Sequence, residues 1–528
     1  MSEQAHQLMH RLEMLNAIGI ALSSERDINR LVELILMAAK NLVNADAGTL
    51  YLVRDEQLHF EIVRTDTLGI AMGGSTGKKP PMPPIPMMLD DGTPNTHTVV
   101  ACAALVGETF NIPDAYQAVG FDFSGTKRFD AANGYLSKSF LTVPLRNHER
   151  EIIGVLQLIN KLDAQGQIEP FGDQDQRLVE SLSSQAAIAL TNRQLINELE
   201  NLFEALINLI NTAIDDKSPY TGGHCERVPA LTMLLAEAVN RVDWGPLKAF
   251  HLTEKDRYEL KIAGLLHDCG KITTPVHVVD KSTKLETIFD RIKLIDTRFE
   301  VLKRDAEIAF LRGVTDEAAY QARLVQLEDD RAFLRRANLG GEFMKPEDQQ
   351  RVRDIGAYRL SDENGQSVPF LSEDEIENLS IARGTLTGTE REIINHHIDV
   401  TIQLLEALPW PKHLKSVPEY AGGHHERMDG KGYPRGLTRE QMSLQARMMG
   451  IADIFEALTA RDRPYKPGKT LSESLTILAR MCKDKHVDHE LFEVFVKEQV
   501  YLQYAHQFLE SGQIDVVDEG AILRLATI

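Results

Sequence analysis

Residues 424–434 read His424, His425, Glu426, Arg427, Met428, Asp429, Gly430, Lys431, Gly432, Tyr433, Pro434, which sets adjacent histidines beside a glycine-broken loop. Two neighbouring imidazoles are costly in a core unless something binds them, so metal chemistry is the first reading. Further donors stand apart along the chain: His224 after Thr221-Gly222-Gly223, His267 and Asp268 in Gly-Leu-Leu-His-Asp-Cys-Gly-Lys, His397, and Asp453 in Gly-Ile-Ala-Asp-Ile-Phe. Five histidines and two aspartates without a thiolate suit a borderline or hard first-row ion such as Fe, Mn, Ni or Zn. If one donor is shared, the set fills two ions and leaves open positions for water, as a two-metal hydrolase requires.

Helices must bring these separated donors together. His224 is expected to begin a helix after the Thr221-Gly222-Gly223 turn, and His267 and Asp268 to lie on a helix with Ile262, Leu265 and Leu266. Successive helical side chains point about 100° apart, so only one of His396 and His397 can face an ion. His251, His277, His413, His486 and His489 are expected in solvent.

The His-Asp pair at 267 and 268, followed by the HHExxDGxGYP pattern from 424, resembles the HD-GYP family of cyclic dinucleotide phosphodiesterases over roughly residues 205–505. The resemblance implies an all-α HD-domain helical bundle. It assigns His224, His267, Asp268 and Asp453 to one divalent ion and Asp268, His397, His424 and His425 to the other, with Fe or Mn favoured and Asp268 as the bridge. In the family register His397 rather than His396 is the ligand, with Thr401 four residues on. Lys271 matches a phosphate-contacting lysine that could also protonate a leaving oxygen, and Arg463 and Lys466 match a second phosphate clamp. Tyr433 could stack on a purine or pack beneath its loop.

Two departures matter. Some members place a third-metal glutamate where Tyr220 stands, which favours two ions here, and Met428 stands where Trp is common. The function implied is hydrolysis of cyclic di-GMP to linear pGpG, with further cleavage to GMP open. Alternatives are a 3',3'-cyclic GMP-AMP phosphodiesterase, a catalytically silent cyclic dinucleotide receptor, and an HD-type nucleotide phosphohydrolase. The last would leave His397 and the 424/425 pair without work.

Composition narrows the class. A formal net charge of -20 argues against polynucleotide binding, which needs an extended basic surface, yet leaves room for a small phosphodiester beside metal ions. Cys102, Cys225, Cys269 and Cys482 show no CxxC spacing, which indicates neither a disulfide framework nor a thiolate zinc site, and Cys225 and Cys269, beside candidate ligands, read as small buried hydrophobes. No apolar run suits a membrane span and the start of the chain lacks signal-peptide character, so cytoplasmic residence is expected.

Upstream, residues 10–43 carry one or two amphipathic helices, followed by strands near 49–53, 58–63, 140–144 and 152–160, with 64–100 an irregular excursion. This part resembles an α/β GAF domain over about 10–190, on Asn160-Lys161, Phe171 and Asp175, although Gln176 replaces the final Glu of the NKxnFx3DE signature. Fold maintenance by a Lys161–Asp175 ion pair and binding of cyclic AMP or cyclic GMP both remain open at this point. From about 174 to 215 leucines recur every three or four residues without Pro or Gly, which predicts a connecting helix whose apolar seam suits a parallel homodimer. An insertion over roughly 280–390 reads as two charged antiparallel helices broken near Gly313, then an irregular polar stretch from 339 to 372. Residues 506–528 form a C-terminal extension. The chain is thus expected to be multidomain: α/β sensor, long helix, and all-α bundle with a helical insertion.

Overall fold

The computed structural model describes residues 3–217, 223–340, 343–362, 364–461 and 468–527, with side chains from residue 13 onward. Tyr220, Thr221, Gly222, Arg463 and Lys466 lie outside the described residues. The chain divides into two compact units, Met1–Phe203 and Glu204–Ile528.

The first unit is built on an antiparallel sheet. Its elements run α1 (Glu3–Ser24), α2 (Ile28–Val43), β1 (Ala45–Arg54), β2 (Gln57–Thr65), β3 (Ile70–Gly73), β4 (Ile85–Pro86), α3 (Val99–Val106), β5 (Phe110–Ile112), α4 (Ser124–Asn133), β6 (Phe140–Arg146), β7 (Ile152–Leu162) and β8 (Ile168–Glu169). Strand order is β3-β2-β1-β7-β6-β5, with β4 pairing β2 and β8 pairing β7. Because side chains alternate across a strand, Leu156 and Leu158 of β7 join α1, α2 and Leu178–Leu190 in one core, while Val155 faces the apolar helix α3 on the other side. Asp27 caps α2 by accepting from the Arg30 N–H at 2.9 Å. The excursion from 64 to 100 is less irregular than its composition suggests: β3 and β4 both pair with β2, and Arg64 ties β3 back by donating to the Met72 carbonyl.

Helix α5 (Asp173–Lys217) runs 45 residues, roughly 68 Å at 1.5 Å per residue. Its Leu195, Leu199, Leu202, Leu206 and Leu209 are at least half exposed and recur at alternating spacings of four and three.

The second unit is helical. It continues through α6 (His224–Arg241), α7 (Glu254–Leu266), α8 (Val276–Val279), α9 (Ile292–Leu311), α10 (Glu317–Asn338), α11 (Pro346–Gly356), the hairpin β9 (Arg359–Ser361) and β10 (Ser367–Pro369), α12 (Glu373–Leu379), α13 (Gly388–Asn395), α14 (His397–Glu406), α15 (Val417–Gly422), α16 (Leu444–Thr459), α17 (Leu471–Lys483), α18 (His489–Lys497), α19 (Val500–Phe508) and α20 (Glu519–Ala526). Helix α6 is the hub, packed by α7, α16, α18 and α19 through fully buried Val228, Leu231, Leu235 and Val239. Gly264 of α7 lets that helix press on Pro229 of α6, where an added Cβ would sit 3.1 Å from the proline Cα. The C-terminal residues are part of the same bundle, since α20 packs on α17 and α18.

The insertion folds around its own core, in which Leu285, Ile295, Phe299, Leu327, Leu334, Val352, Ile355 and Phe370 are buried. Helices α9 and α10 pair as the sequence predicts. The described residues of the stretch from 343 to 371 are more ordered than their composition suggests. Pro346 opens α11 at a position where its missing N–H costs nothing, Val352 and Ile355 point into the core, and the β9–β10 hairpin closes behind them. Among the described residues no helix is long and apolar enough to cross a membrane.

Candidate metal centre

Five segments deliver the site. His224 is the first residue of α6, and Gly223 before it takes the left-handed conformation, φ 81°, that turns the chain into the helix. Helix α7 ends at Leu266, one residue before the expected ligands, so His267 is its cap and Asp268 leads a 3-10 turn over Cys269–Thr273. The early end of α7 has a chemical use. In a 3-10 turn residues i and i+3 eclipse, and Lys271 Nζ reaches Asp268 Oδ2 at 2.5 Å.

A break between α13 and α14 places His397 at the start of α14, buried, while His396 is exposed and pairs with Asp399. Gly270 permits the approach: a Cβ there would lie 1.9 Å from the His397 carbonyl, and its N–H donates to Thr401 Oγ1 at 2.9 Å. His424 and His425 follow α15, and Asp453 projects from α16.

Two donor groups result, each with ligand atoms within 4.8 Å of one another: His224, His267 and Asp268, and His397, His424 and His425. Asp268 stands between them. Its Oδ2 lies 2.9 Å from His224 Nε2 and 3.3 Å from His267 Nε2, and its Oδ1 lies 3.2 Å from His397 Nε2. Asp453 Oδ1 is 3.5 Å from His224 Nε2, on the side of the first group.

Three of the imidazoles are aimed by the same device. The Nδ1 atoms of His267, His397 and His424 donate to the carbonyls of Gly264, Ile394 and Ala421, each three residues earlier. That contact puts the proton on Nδ1 and leaves the Nε2 lone pair facing inward. Inward-facing nitrogens then confront each other, His267 with His224 at 3.3 Å and His425 with His397 at 3.3 Å, and buried His424 Nε2 and Asp268 Oδ1 have no hydrogen-bond partner. Converging lone pairs and unpartnered buried acceptors fit a divalent cation at each group.

The electrostatics agree. Burial opposes charge on Asp268, yet Lys271, His267 and His224 outweigh it and hold the carboxyl well below its usual range. Burial likewise opposes charge on Lys271, and Asp268 and Asp453 outweigh it, so its ammonium is stabilised. His224 is lifted to about 9 because hydrogen bonds to Asp268 and Glu456 overcome burial. Burial, then the charge on His267, pushes His424 down to about 4, and His425 is held well below its usual value by burial and its imidazole neighbours.

Two glutamates that the sequence reading left without a role support the site. Glu456, buried on α16, accepts from His224 Nδ1 at 2.7 Å. Glu426 organises the glycine loop, accepting from the N–H groups of Arg435 at 2.8 Å and Leu437 at 2.9 Å. Gly432 is required there because a Cβ would come 2.4 Å from the Arg427 nitrogen. Tyr433 stacks on His425 with centroids 4.8 Å apart and lines a cleft of about 560 Å³ beside Asp453, with Arg383, Arg427, Lys431, Lys469 and His486 around it. His486 is therefore half-buried on the cleft wall rather than in solvent, and burial lowers its pKa. All four cysteines are buried and free.

In the first unit the signature residues serve the fold. Asn160 Oδ1 accepts from the N–H groups of Lys138 and Ser139 while its Nδ2 donates to the Leu136 carbonyl. Lys161 pairs with Asp175 at 2.7 Å and Glu169 at 3.0 Å, and Phe171 is buried in the core. Asp175 also accepts from the Gly172 N–H at the start of α5.

The GAF domain pattern matches residues 27–190, and HD domain patterns match residues 221–339 and 371–491. A cyclic di-GMP phosphodiesterase of Pseudomonas aeruginosa is 32% identical over 219 residues, covering 41% of this chain and 46% of that protein. A 3'3'-cGAMP-specific phosphodiesterase of Vibrio cholerae is 25% identical over 306 residues, 58% of this chain and 40% of that one. A cyclic di-GMP phosphodiesterase of Thermotoga maritima is 29% identical over 175 residues, 30% of this chain and 47% of that one. Each match thus spans less than half the length of the relative.

The two histidine shifts predict a pH optimum for the metal-free protein. His224, raised to about 9, contributes stability that is complete below pH 6.5 and lost as pH rises through 9; His424, lowered to about 4, contributes stability that is complete above pH 6.5 and lost as pH falls through 4. Chelator-stripped protein should therefore melt highest near pH 6.5, and Mn²⁺ should remove the alkaline loss because imidazole binds metal only when deprotonated. Melting curves across this range check it, and a stripped protein that gains stability from pH 6.5 to 9 would contradict it. Patterns, fold and relatives lead to one statement: the chain carries a GAF domain followed by HD-domain matches and is similar to cyclic dinucleotide phosphodiesterases over part of their length.

Proposed function

We propose that this chain is a phosphodiesterase that uses two divalent ions, Fe or Mn in the first instance and Ni or Zn otherwise, to hydrolyse cyclic di-GMP to linear pGpG. Onward cleavage to GMP is the next step to examine. The observation that carries the reading is Asp268, whose two oxygens face separate imidazole groups beside a cleft rimmed by cations. The donors assigned are His224, His267, Asp268 and Asp453 for one ion and Asp268, His397, His424 and His425 for the other. Ions so held supply Lewis acidity toward a phosphate and lower the pKa of water.

The chain's own residues do the rest. The cleft is of a size that suits a small ligand, and Arg383, Arg427, Lys431 and Lys469 line it, with Asp429 paired to Arg427 and Lys431, on a chain of net charge -20. Tyr433, already flat against His425, offers its outer face to a base. Arg463 and Lys466 keep the clamp role that the family pattern implies. Hydrolysis adds water across one phosphodiester and breaks the bond from phosphorus to a ribose 3'-oxygen, which must take up a proton. Lys271, charged and part-exposed beside Asp268, is the donor in this reading.

In this reading residues 10–190 sense, 174–215 connect, 205–505 hydrolyse, and 506–528 complete the bundle. Control by the GAF domain, with cyclic AMP or cyclic GMP as first ligands to try, belongs to the same proposal, as does residence in the cytoplasm. Relatives named for cyclic di-GMP and for 3'3'-cGAMP both match, so the hybrid dinucleotide is the closest rival substrate. The exposed leucines of α5, spaced four and three, supply a heptad seam for a parallel homodimer.

Product chromatography on Mn²⁺- or Fe²⁺-loaded protein, offered cyclic di-GMP and 3',3'-cyclic GMP-AMP separately, is expected to show pGpG from the first. Lys271→Met should lower turnover about 10²- to 10⁴-fold with metal content unchanged. Nucleotide that binds but stays intact, with Lys271→Met indistinguishable from the parent, would sink the proposal. For the seam, sedimentation should give a dimer that Leu202→Glu with Leu206→Glu converts to monomer, and a monomeric parent would contradict it.

A further inference from the structure

Glu456 is buried to 1% exposure on α16, three residues after Asp453, and its two oxygens are divided between two side chains of α6. Oε2 accepts from His224 Nδ1 at 2.7 Å, and Oε1 accepts from Arg227 Nε and Nη2, each at 2.7 Å. His224 and Arg227 are three apart on α6, so a single face of that helix meets the carboxylate. The histidines oriented through backbone, 267, 397 and 424, lean on neutral carbonyls instead. Among the described donors, His224 alone is held from behind by an anion.

That difference has a consequence for metal affinity. A carboxylate behind an imidazole fixes the tautomer and raises the basicity of the inward nitrogen, and loss of such a partner typically weakens binding about 10- to 100-fold. We infer that Glu456, locked by Arg227, is a positioning residue that acts through His224 and makes the ion at His224, His267, Asp268 and Asp453 the tighter of the two. The inference rests on the two-ion reading above but not on any substrate. A merely structural role, in which the triad only ties α6 to α16, would alter folding stability and leave the affinities of folded protein alone.

Equilibrium dialysis of the full chain against Mn²⁺ separates these. The parent should bind two ions of distinct affinity; in Glu456→Gln the tighter should weaken about 10- to 100-fold while the weaker shifts by less than about threefold. No change, or equal weakening of both ions in protein that still melts cooperatively, overturns the inference. A parent that binds a single ion defeats the two-ion reading instead, and whether that ion weakens in Glu456→Gln still decides the role of the carboxylate. Gln would take the Glu456 charge away from part-buried Arg227, so if the variant does not fold, Arg227→Met combined with Glu456→Met removes both charges at once and is titrated in the same way. Failure of that variant to fold makes the pair structural and also overturns the inference.

Discussion

A carboxylate that is 2% exposed needs compensation on every side, and the arrangement around Asp268 is organised by that need. Lys271 and the imidazoles of His224 and His267 crowd Oδ2, while Oδ1 has His397 at 3.2 Å and no hydrogen bond. The close approaches follow from it. Gly270 brings α14 against the 3-10 turn, Gly264 brings α7 against α6, and the hub position of α6 sets His224 opposite Asp453 and Glu456.

Around this carboxylate the orienting contacts are mostly backbone. A carbonyl three residues upstream aims each of three histidines, so the ring direction is set by the geometry of a helix end or turn rather than by a side chain that could rotate away. Glu426 does the same for the loop that carries Gly432 and Tyr433, spending both oxygens on backbone N–H groups. Rigid support of this kind lets adjacent histidines sit 4.1 Å apart, centroid to centroid.

Much of the site was legible in the sequence because its donors are rare residues in compact motifs. Adjacent His424 and His425, or His267 before Asp268, have few bland explanations. The roles of Glu456 and of Glu426, although the latter stands inside the HHExxDGxGYP pattern, were not legible, since a glutamate on a helix or in a polar loop is ordinarily solvated and burial is what makes them matter. Spacing offered one clue, because Glu456 lies three residues from Asp453 and so on the same helical face. Arg383 was invisible for another reason: the insertion ends there, and only the fold brings it to the cleft that His425 and Lys469 also line. The boundary at Leu266 was missed because periodicity continues through His267, and the order of the described residues from 343 to 371 because polar and glycine-rich composition hid Pro346 and two core residues. In the GAF domain the long strands and helices were readable from alternation and period, whereas the short strands β3 and β4 depend on pairing with β2.

The central claim is that one carboxylate serves two ions. Elemental analysis of the full chain, purified without oxygen and reconstituted with Mn²⁺ or Fe²⁺, tests it through Asp268→Asn, which keeps the shape and removes the charge. Two ions per chain in the parent and loss of both in the variant is the predicted result. A folded variant that keeps one ion at parental affinity would contradict the shared carboxylate.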